Sequence, residues 1–515
     1  MKRKIQRIAA LLVTAAALAG FASCKSDKKP DDGTKDVPVG SDYPEYLTGK
    51  TYGGDTVRFL VASECLYDFT LSEDDEGDDA ISAAALKRNQ LVSEYHNVRL
   101  EFIDGGGINE FNPKMLGVVQ AGDPTYDIFC PPYWWNTGNE GVAANLSEIS
   151  VFDFSQPWWY RYINDELVYP SGNMYYCTGA IDNIDLSSVG VTFVNKTIFA
   201  DACGDLNVLF EKAKAGEWTK DLALEYAQKF GSDIDANGVM DENDAYGIIV
   251  GNGTNMLPSW GVKLSYTKNN DGTYEFNFFN NRFVEKYMAL NAFYNDSHVG
   301  YTSDWLDWPY KAFSNNRVLF AMAPLNCFTI LRDGNADYGI LPLPKYDEKQ
   351  KNYITYGYGI LFNGISATAS DFERAAVILE AINYQSYKLV LPEYKETTLK
   401  YKAIDADDDG TRAMLDIIYA SVATDFASVH NERLKVGALC LGHNPSIASL
   451  YNSGKDVFNQ NLNFIFDFFF EDIFDDFVFV LKMFIKSRPD HISSVGNHLN
   501  CDLFKRHLHN KFFER

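Results

Sequence analysis

The chain lacks the spacings that mark the common cysteine sites. There is no C-x-x-C pair and no Cys/His cluster at metal-ligand spacing, which excludes zinc-finger and thioredoxin-type centres. Beyond Cys24 the cysteines are Cys65, Cys130, Cys177, Cys203, Cys327, Cys440 and Cys501, far apart and odd in number. Buried, unpaired thiols in apolar company are therefore expected. G-x-S-x-G, H-E-x-x-H and Walker A strings are absent. Gly105-Gly106-Gly107 and Gly251-x-Gly253 lack the full spacing of a dinucleotide or phosphate loop. Positive charge is scarce: 46 Lys and Arg stand against 70 Asp and Glu, a net charge of −24. Such a surface has no electrostatic basis for binding nucleic acid or an anionic membrane face. After the N-terminus no apolar run reads as a membrane span, and no internal repeat is found.

What is present begins with an address. Lys2, Arg3, Lys4 and Arg7 form a basic n-region, and Ile8 to Ala22 an apolar h-region too short for a comfortable span. It runs into Phe21-Ala22-Ser23-Cys24, small residues before a cysteine, the pattern at which a lipoprotein signal peptidase cuts and leaves the lipid on Cys24. Removing residues 1–23 takes away four basic residues, so the mature net charge becomes −24 − 4 = −28. Residues 24–50 are rich in Lys, Asp, Pro, Gly and Ser and read as a flexible tether. The body that follows is long enough for two or three domains, and its 15% aromatic content supplies a large core.

Residues 233–244 read Asp-Ile-Asp-Ala-Asn-Gly-Val-Met-Asp-Glu-Asn-Asp. A calcium loop wants oxygen ligands at positions 1, 3, 5 and 9, a backbone carbonyl at 7, a carboxylate at 12 and Gly at 6 for the sharp turn. Asp233, Asp235, Asn237, Asp241, Val239, Asp244 and Gly238 fill those positions in that order. Met240, at position 8, is the apolar side chain expected to turn inward. Asp244 is shorter than the usual Glu. The expectation is a structural Ca2+, since a hard cation in a closed oxygen cage is a clip rather than a catalyst. Asp405 to Asp416 fits the pattern only in part: Arg412 takes the inward position and Ala413 offers no ligand at the ninth. The acidic run Glu73 to Asp79 reads as a solvated loop.

Thr56 to Ala62 reads as a core strand, Ala80 to Tyr95 as a helix and Val98 to Ile103 as an alternating strand. Pro113 to Ala121 then reads as a helix and Tyr126 to Cys130 as a strand. This alternation argues for an α/β layer. Tyr338 to Pro344 and Tyr356 to Ile365 add strand-like runs, and Ser370-Asp371-Phe372-Glu373 reads as a capping box opening a long helix. From Phe458 the composition shifts. Residues 458–515 hold 13 of the 36 Phe, with neither a helical nor a strand period, so this tail is set apart as an appended segment or the product of a reading-frame shift.

Several strings now share an order: Pro157-Trp158-Trp159, Phe193-Val194-Asn195-Lys196, Gly216-Glu217-Trp218-Thr219-Lys220-Asp221 ahead of the calcium-type loop, Asp244-Ala245-Tyr246-Gly247, Asn316 to Phe320, and Gly339 to Tyr346. Over roughly residues 50–457, with the lipobox, this resembles the extracellular solute-binding proteins of family 1, the lipid-anchored receptors of carbohydrate ABC importers. The resemblance implies a two-lobed periplasmic-binding-protein-like α/β fold with an interlobe ligand cleft and a hinge. Lobe one would hold 51–168 and 337–388, and lobe two 169–336 and 389–457. It also implies a monomer on the extracytoplasmic face of the membrane, with a carbohydrate ligand, ABC permease subunits as partners and no covalent chemistry.

A sugar pocket needs aromatic faces for the C–H faces of the ring and planar polar groups for the hydroxyls. Tyr133, Trp134, Trp135 and Asn136 follow the Tyr126–Cys130 strand at its carboxyl end, where α/β sheets bind ligands. Asn255 and Trp260 follow a Gly/Asn-rich loop, Trp305 and Trp308 flank Asp307, and Tyr356 alternates with glycine. These are the candidate ligand residues; for each the alternative is ordinary packing. Trp158 and Trp159 read as lobe packing. An exported glycoside hydrolase is the alternative function, but no acid–base carboxylate pair stands out. A dockerin-type scaffold would carry two calcium loops in a short domain, whereas here one good copy sits inside a large α/β body.

Overall fold

The computed structural model describes residues 43–466, apart from 71–78, 132–140, 183–187, 239, 242, 252–253, 255, 303–307, 328–330, 332–335, 357–360, 403–408, 431–433 and 441. The chain divides into two compact units, Met1–Pro44 and Glu45–Arg515. The expected tether to residue 50 ends earlier: Glu45–Leu47 is a 3-10 turn, and Leu47 is fully buried.

Two sheets organise the body. The first contains β1 (Asp55–Val61), β2 (Val98–Asp104), β3 (Ile128–Cys130) and a two-residue β12 (Gly364–Ile365), in the order β12-β3-β1-β2. β1 runs parallel to both β2 and β3, with Phe59 opposite Phe102 and Ile128. β12 closes the edge antiparallel to β3. Helices Asp79–His96 and Ile108–Gln120 link these strands as crossovers. The second helix begins five residues before the expected Pro113, which sits inside it. Gly105 permits the early start. A Cβ there would lie 2.4 Å from the Phe111 ring, which is itself fully buried.

The second sheet contains β4 (Gly190–Asn195), β5 (Tyr246–Gly251), β8 (Val299–Thr302), β9 (Val318–Pro324) and β10 (Tyr338–Pro342), in the order β10-β4-β9-β5-β8. β5, β8 and β9 are mutually parallel, and β4 runs against both β9 and β10. β4, β5 and β10 are buried along their whole length, the pattern of strands covered on both faces. A core of Val191, Phe193, Ile249, Phe313, Val318, Ile340 and Ile418 fills one side. Two small ribbons complete the strands: β6 (Tyr266–Lys268) with β7 (Tyr274–Phe276), and β11 (Thr355–Tyr356) with β13 (Val422–Ala423).

The chain crosses between the sheets three times. It leaves the first after β3, builds the second through β10, and returns for β12 and helix Phe372–Gln385. It then goes back to lay helix Asp409–Ala420 on β10. This corrects the expected boundaries. Residues 169–182, expected in lobe two, stay with lobe one through the Trp159–Gly179 and Cys177–Asn363 bridges, and helix Leu391–Lys402, also expected in lobe two, packs on helix Asp79–His96. Residues 338–342 had been assigned to lobe one from position 337 on, but β10 pairs with β4 in the second sheet. The return to the first sheet comes only at Leu361 to Ile365. Helix Phe372–Gln385 is capped by Asp371, whose carboxylate accepts the Arg374 N–H at 2.9 Å, rather than by Ser370. Ser370 instead accepts a bond from the Arg374 guanidinium at 3.0 Å.

The compositional break at Phe458 is not a structural one. A helix runs over 447–466, with Leu462, Ile465 and Phe466 buried. Asn463 and Asn459 accept the outward N–H groups of Tyr274 (2.6 Å) and Phe276 (2.9 Å) on β7, and Asn463 donates to the Tyr274 carbonyl. Phe466 closes an aromatic cluster with Tyr266, Tyr274 and Phe426. The i, i+4 asparagines thus do for one edge of the ribbon what a neighbouring strand would do.

Candidate functional site

The candidate ligand residues fall mostly where parallel strands end. Tyr133, Trp134, Trp135 and Asn136 follow β3; Asn255 follows β5; Trp305 follows β8. All six lie outside the described residues. Trp308 opens the short helix Trp308–Ser314. Tyr356 ends β11, buried, with its backbone paired to Ala423.

Trp260 departs from expectation. A cleft wall was expected, on the ground that a flexible polar loop precedes it. The one-turn helix Met256–Ser259 intervenes, buried at every position, and carries the indole into the interior. The ring is 0% exposed and lies 5.4 Å from Tyr346 and 6.1 Å from Phe293. Its carbonyl accepts a bond from the buried Lys286 ammonium, while its own Nε1 has no acceptor. Lys286 and Lys220 each sit 5.1 Å from the Tyr346 ring centre, one cation–π contact on each. Burial and the nearby Arg282 lower the Lys286 pKa. This cluster packs lobe two.

Trp158 and Trp159 pack as expected, around a residue that no sequence motif marks. Glu380, fully buried on helix Phe372–Gln385, accepts Trp158 Nε1 (2.8 Å), Trp159 Nε1 (3.1 Å), the Asp153 N–H (2.8 Å) and the Tyr46 hydroxyl (3.4 Å). Loss of solvent raises its pKa to about 7, against the pull of those four donors. Cys65, Cys130, Cys177 and Cys327 are buried and Cys203 is half-buried. Burial pushes the Cys130 and Cys177 thiols well up, so both are unreactive thiols at neutral pH.

The 233–244 loop brings three carboxylates together. Ser232 and Ala245 pair across its neck, and β5 starts at the next residue. Gly238 turns the chain at φ +82°, and its N–H reaches Asp233 Oδ2 at 2.8 Å. Met240 packs inward against the lobe-two core. Asp244 accepts the N–H groups of Ile234 and Asp241, both at 2.8 Å, and these backbone donors hold its carboxyl below the usual range. Oxygens of Asp233, Asp235 and Asp244 lie within 4.8 Å of one another. Two ligands sharing a calcium at its usual 2.3–2.6 Å stand at most about 5 Å apart, so the cluster has the right size. Asp233 Oδ1 is buried without a hydrogen-bond partner, an orphan that a cation would satisfy. The residues fit calcium. Asn237 is tied to Asp235, and Asp241 turns to Asn243, outside the trio; Val239 lies outside the described residues.

No protein-family model matches the chain, and no curated protein matches it. Solved structures do. UspC of M. tuberculosis superposes with a TM-score of 0.51 at 14% identity, over 79% of this chain and 100% of UspC. A cyclo/maltodextrin-binding protein complexed with maltotetraose gives 0.49 at 14% identity, covering 83% and 99%. An ABC substrate-binding protein from Listeria monocytogenes in complex with cycloalternan gives 0.48 at 16% identity, covering 79% and 99%. At such identities the likeness is one of fold. That fold is the two-lobed α/β architecture of solute-binding proteins. Among the described residues no helix is long and apolar enough to cross a membrane.

Proposed function

We propose that the protein is an extracytoplasmic receptor, anchored through lipid on Cys24, that captures a sugar or oligosaccharide and delivers it to an ABC importer without covalent chemistry. One observation carries the reading. The chain passes three times between two sheets whose parallel strands are followed by segments bearing aromatic or Asn residues. Three connections between two lobes form a hinge, and strand carboxyl ends are where α/β sheets take ligands. Tyr133, Trp134, Trp135, Asn136, Asn255, Trp305, Trp308 and Tyr356 supply the stacking faces and amides a sugar needs. The sequence resemblance supports the carbohydrate class and the importer partner. The 233–244 loop holds a structural calcium.

A thermal-shift screen of the chain from residue 25 against mono- and oligosaccharides tests this, since a ligand that binds only the folded state raises the melting temperature. A selective rise with one glycan class, with no product formed, is the expected outcome. No shift with any sugar in a folded sample refutes the carbohydrate assignment. Glycan cleavage refutes the receptor and supports a hydrolase.

A further inference from the structure

Two of the three lobe connections meet at one buried carboxylate. The first leaves lobe one at Asp182. Just before it, Trp159 pairs with Gly179 and the Ile181 N–H donates to Asn383 Oδ1 at 3.0 Å. The Tyr160 hydroxyl donates to the Asp182 carbonyl at 3.3 Å. Lobe two receives the chain at Val189, whose carbonyl accepts the Leu325 N–H at 2.8 Å. The second connection leaves lobe two at Tyr356 on β11 and enters lobe one at Leu361. There Phe362 and Asn363 donate to the carbonyls of Pro131 and Cys177. Beyond the Cys177–Asn363 bridge, closer to where both segments leave lobe one, the Leu361 N–H donates to Asp182 Oδ2 at 2.6 Å. Both residues are 0% exposed.

A carboxylate this deep is costly unless its oxygens are bonded, and a bond from a backbone N–H to a charged acceptor is among the stronger ones. We infer that Asp182 is a positioning residue that clips the first and second connections together at their lobe-one ends. Both then begin to turn at the same level when the lobes move. The inference rests on the two-lobed receptor reading and adds to it the residue that sets the hinge.

The test uses ligand-free protein with spin labels on a ketone-bearing amino acid at positions 87 and 211. These exposed sites, one on each lobe, leave the native cysteines untouched. Asp182→Ala is expected to broaden the interlobe distance distribution about two-fold, the mark of a hinge freed of a constraint. Asp182→Asn, whose Oδ1 still accepts the Leu361 N–H, is expected to keep the parental width. A folded Asp182→Ala protein with a lower melting temperature but unchanged width overturns the proposal, because a merely structural role would do just that. Equal broadening in Asn383→Ala, which cuts the tie of Ile181 to the lobe-one helix and a bond inside that helix but leaves Asp182 and Leu361 joined, also overturns it. If Asp182→Ala does not fold, Asp182→Glu keeps the charge and displaces the acceptor. A shifted mean distance supports the clip, and an unshifted one overturns it. The readout needs no sugar, so failure of the parent to bind any sugar, which sinks the receptor reading, is told apart from failure of the clip.

Discussion

Glu380 makes the stability of this protein depend on pH in a direction opposite to most carboxylates. Its ordinary value is 4.5, and burial raises it to about 7. Between those values the native state holds a proton that the unfolded state has released. The unfolded state thus binds fewer protons, and stability falls as pH rises through the window. A shift of about two and a half units corresponds to about 3 kcal/mol, present below pH 4.5 and lost once pH passes 7. The assay is urea unfolding of the parent and of Glu380→Gln at intervals from pH 4.5 to 8. Glutamine carries its own cost. Its amide would face the Trp158 Nε1 donor and leave that group unsatisfied, at about 1–3 kcal/mol. That cost does not titrate, and the other carboxylates are common to both proteins. The difference between the two curves therefore isolates Glu380. It should change by about 3 kcal/mol across the window, the parent losing ground as pH rises. Parallel curves would refute the assignment and mean that the four donors hold the carboxylate charged at all these pH values.

Three further outcomes are expected. Chelation should lower the melting temperature of the parent, as should Asp233→Ala in calcium; at a hundredfold excess of calcium over its Kd the stabilisation is about 2.7 kcal/mol, and equal melting with and without chelator refutes the clip. Arg374 bridges Asp55 (2.7 Å) and the buried Asp127 (3.0 Å), and Arg374→Ala should cost about 3–5 kcal/mol in urea unfolding by leaving Asp127 buried and unpaired. Asn463→Ala should speed amide exchange at Tyr274 and lower stability by about 1–3 kcal/mol; unchanged exchange would mean that 458–466 does not cap β7.

What could be read from the sequence is what local chemistry encodes. The first strands and the Asp79–His96 helix follow from alternation and period within a few residues, because their apolar faces pack in the order they occur. The inward Met240 and the left-handed Gly238 follow from a loop whose geometry is set by its own twelve residues. Long-range facts were not legible. Nothing in Tyr338–Pro342 says whether it pairs with β4 or returns to the first sheet; an all-apolar strand fits either. Trp260 looked like a loop residue, because a buried four-residue helix leaves no period to detect. Glu380 and Asp182 carry no motif at all, since Glu380 accepts from residues 221 to 334 positions away and the Asp182 carboxylate from the Leu361 backbone 179 positions away. The break at Phe458 misled because composition changes there while packing continues to Phe466.

The placement of the calcium loop on β5 bears on what a metal could do here. The loop's last residue, Asp244, stands two residues before the strand, and Asn255 follows the strand's far end at Gly251. From Tyr246 to Gly251 the strand rises about 17 Å. A cation bound by Asp233, Asp235 and Asp244 is therefore at the amino end of the strand whose carboxyl end would face the ligand, too far to touch a sugar hydroxyl bound there. Its effect on ligand must pass through the order of β5 alone. Depleting calcium from a protein still folded should then weaken sugar binding only as far as it loosens β5, and the melting temperature and affinity should fall together across variants of the loop. A loop variant that abolishes sugar binding at an unchanged melting temperature would place the metal in the cleft and refute this arrangement.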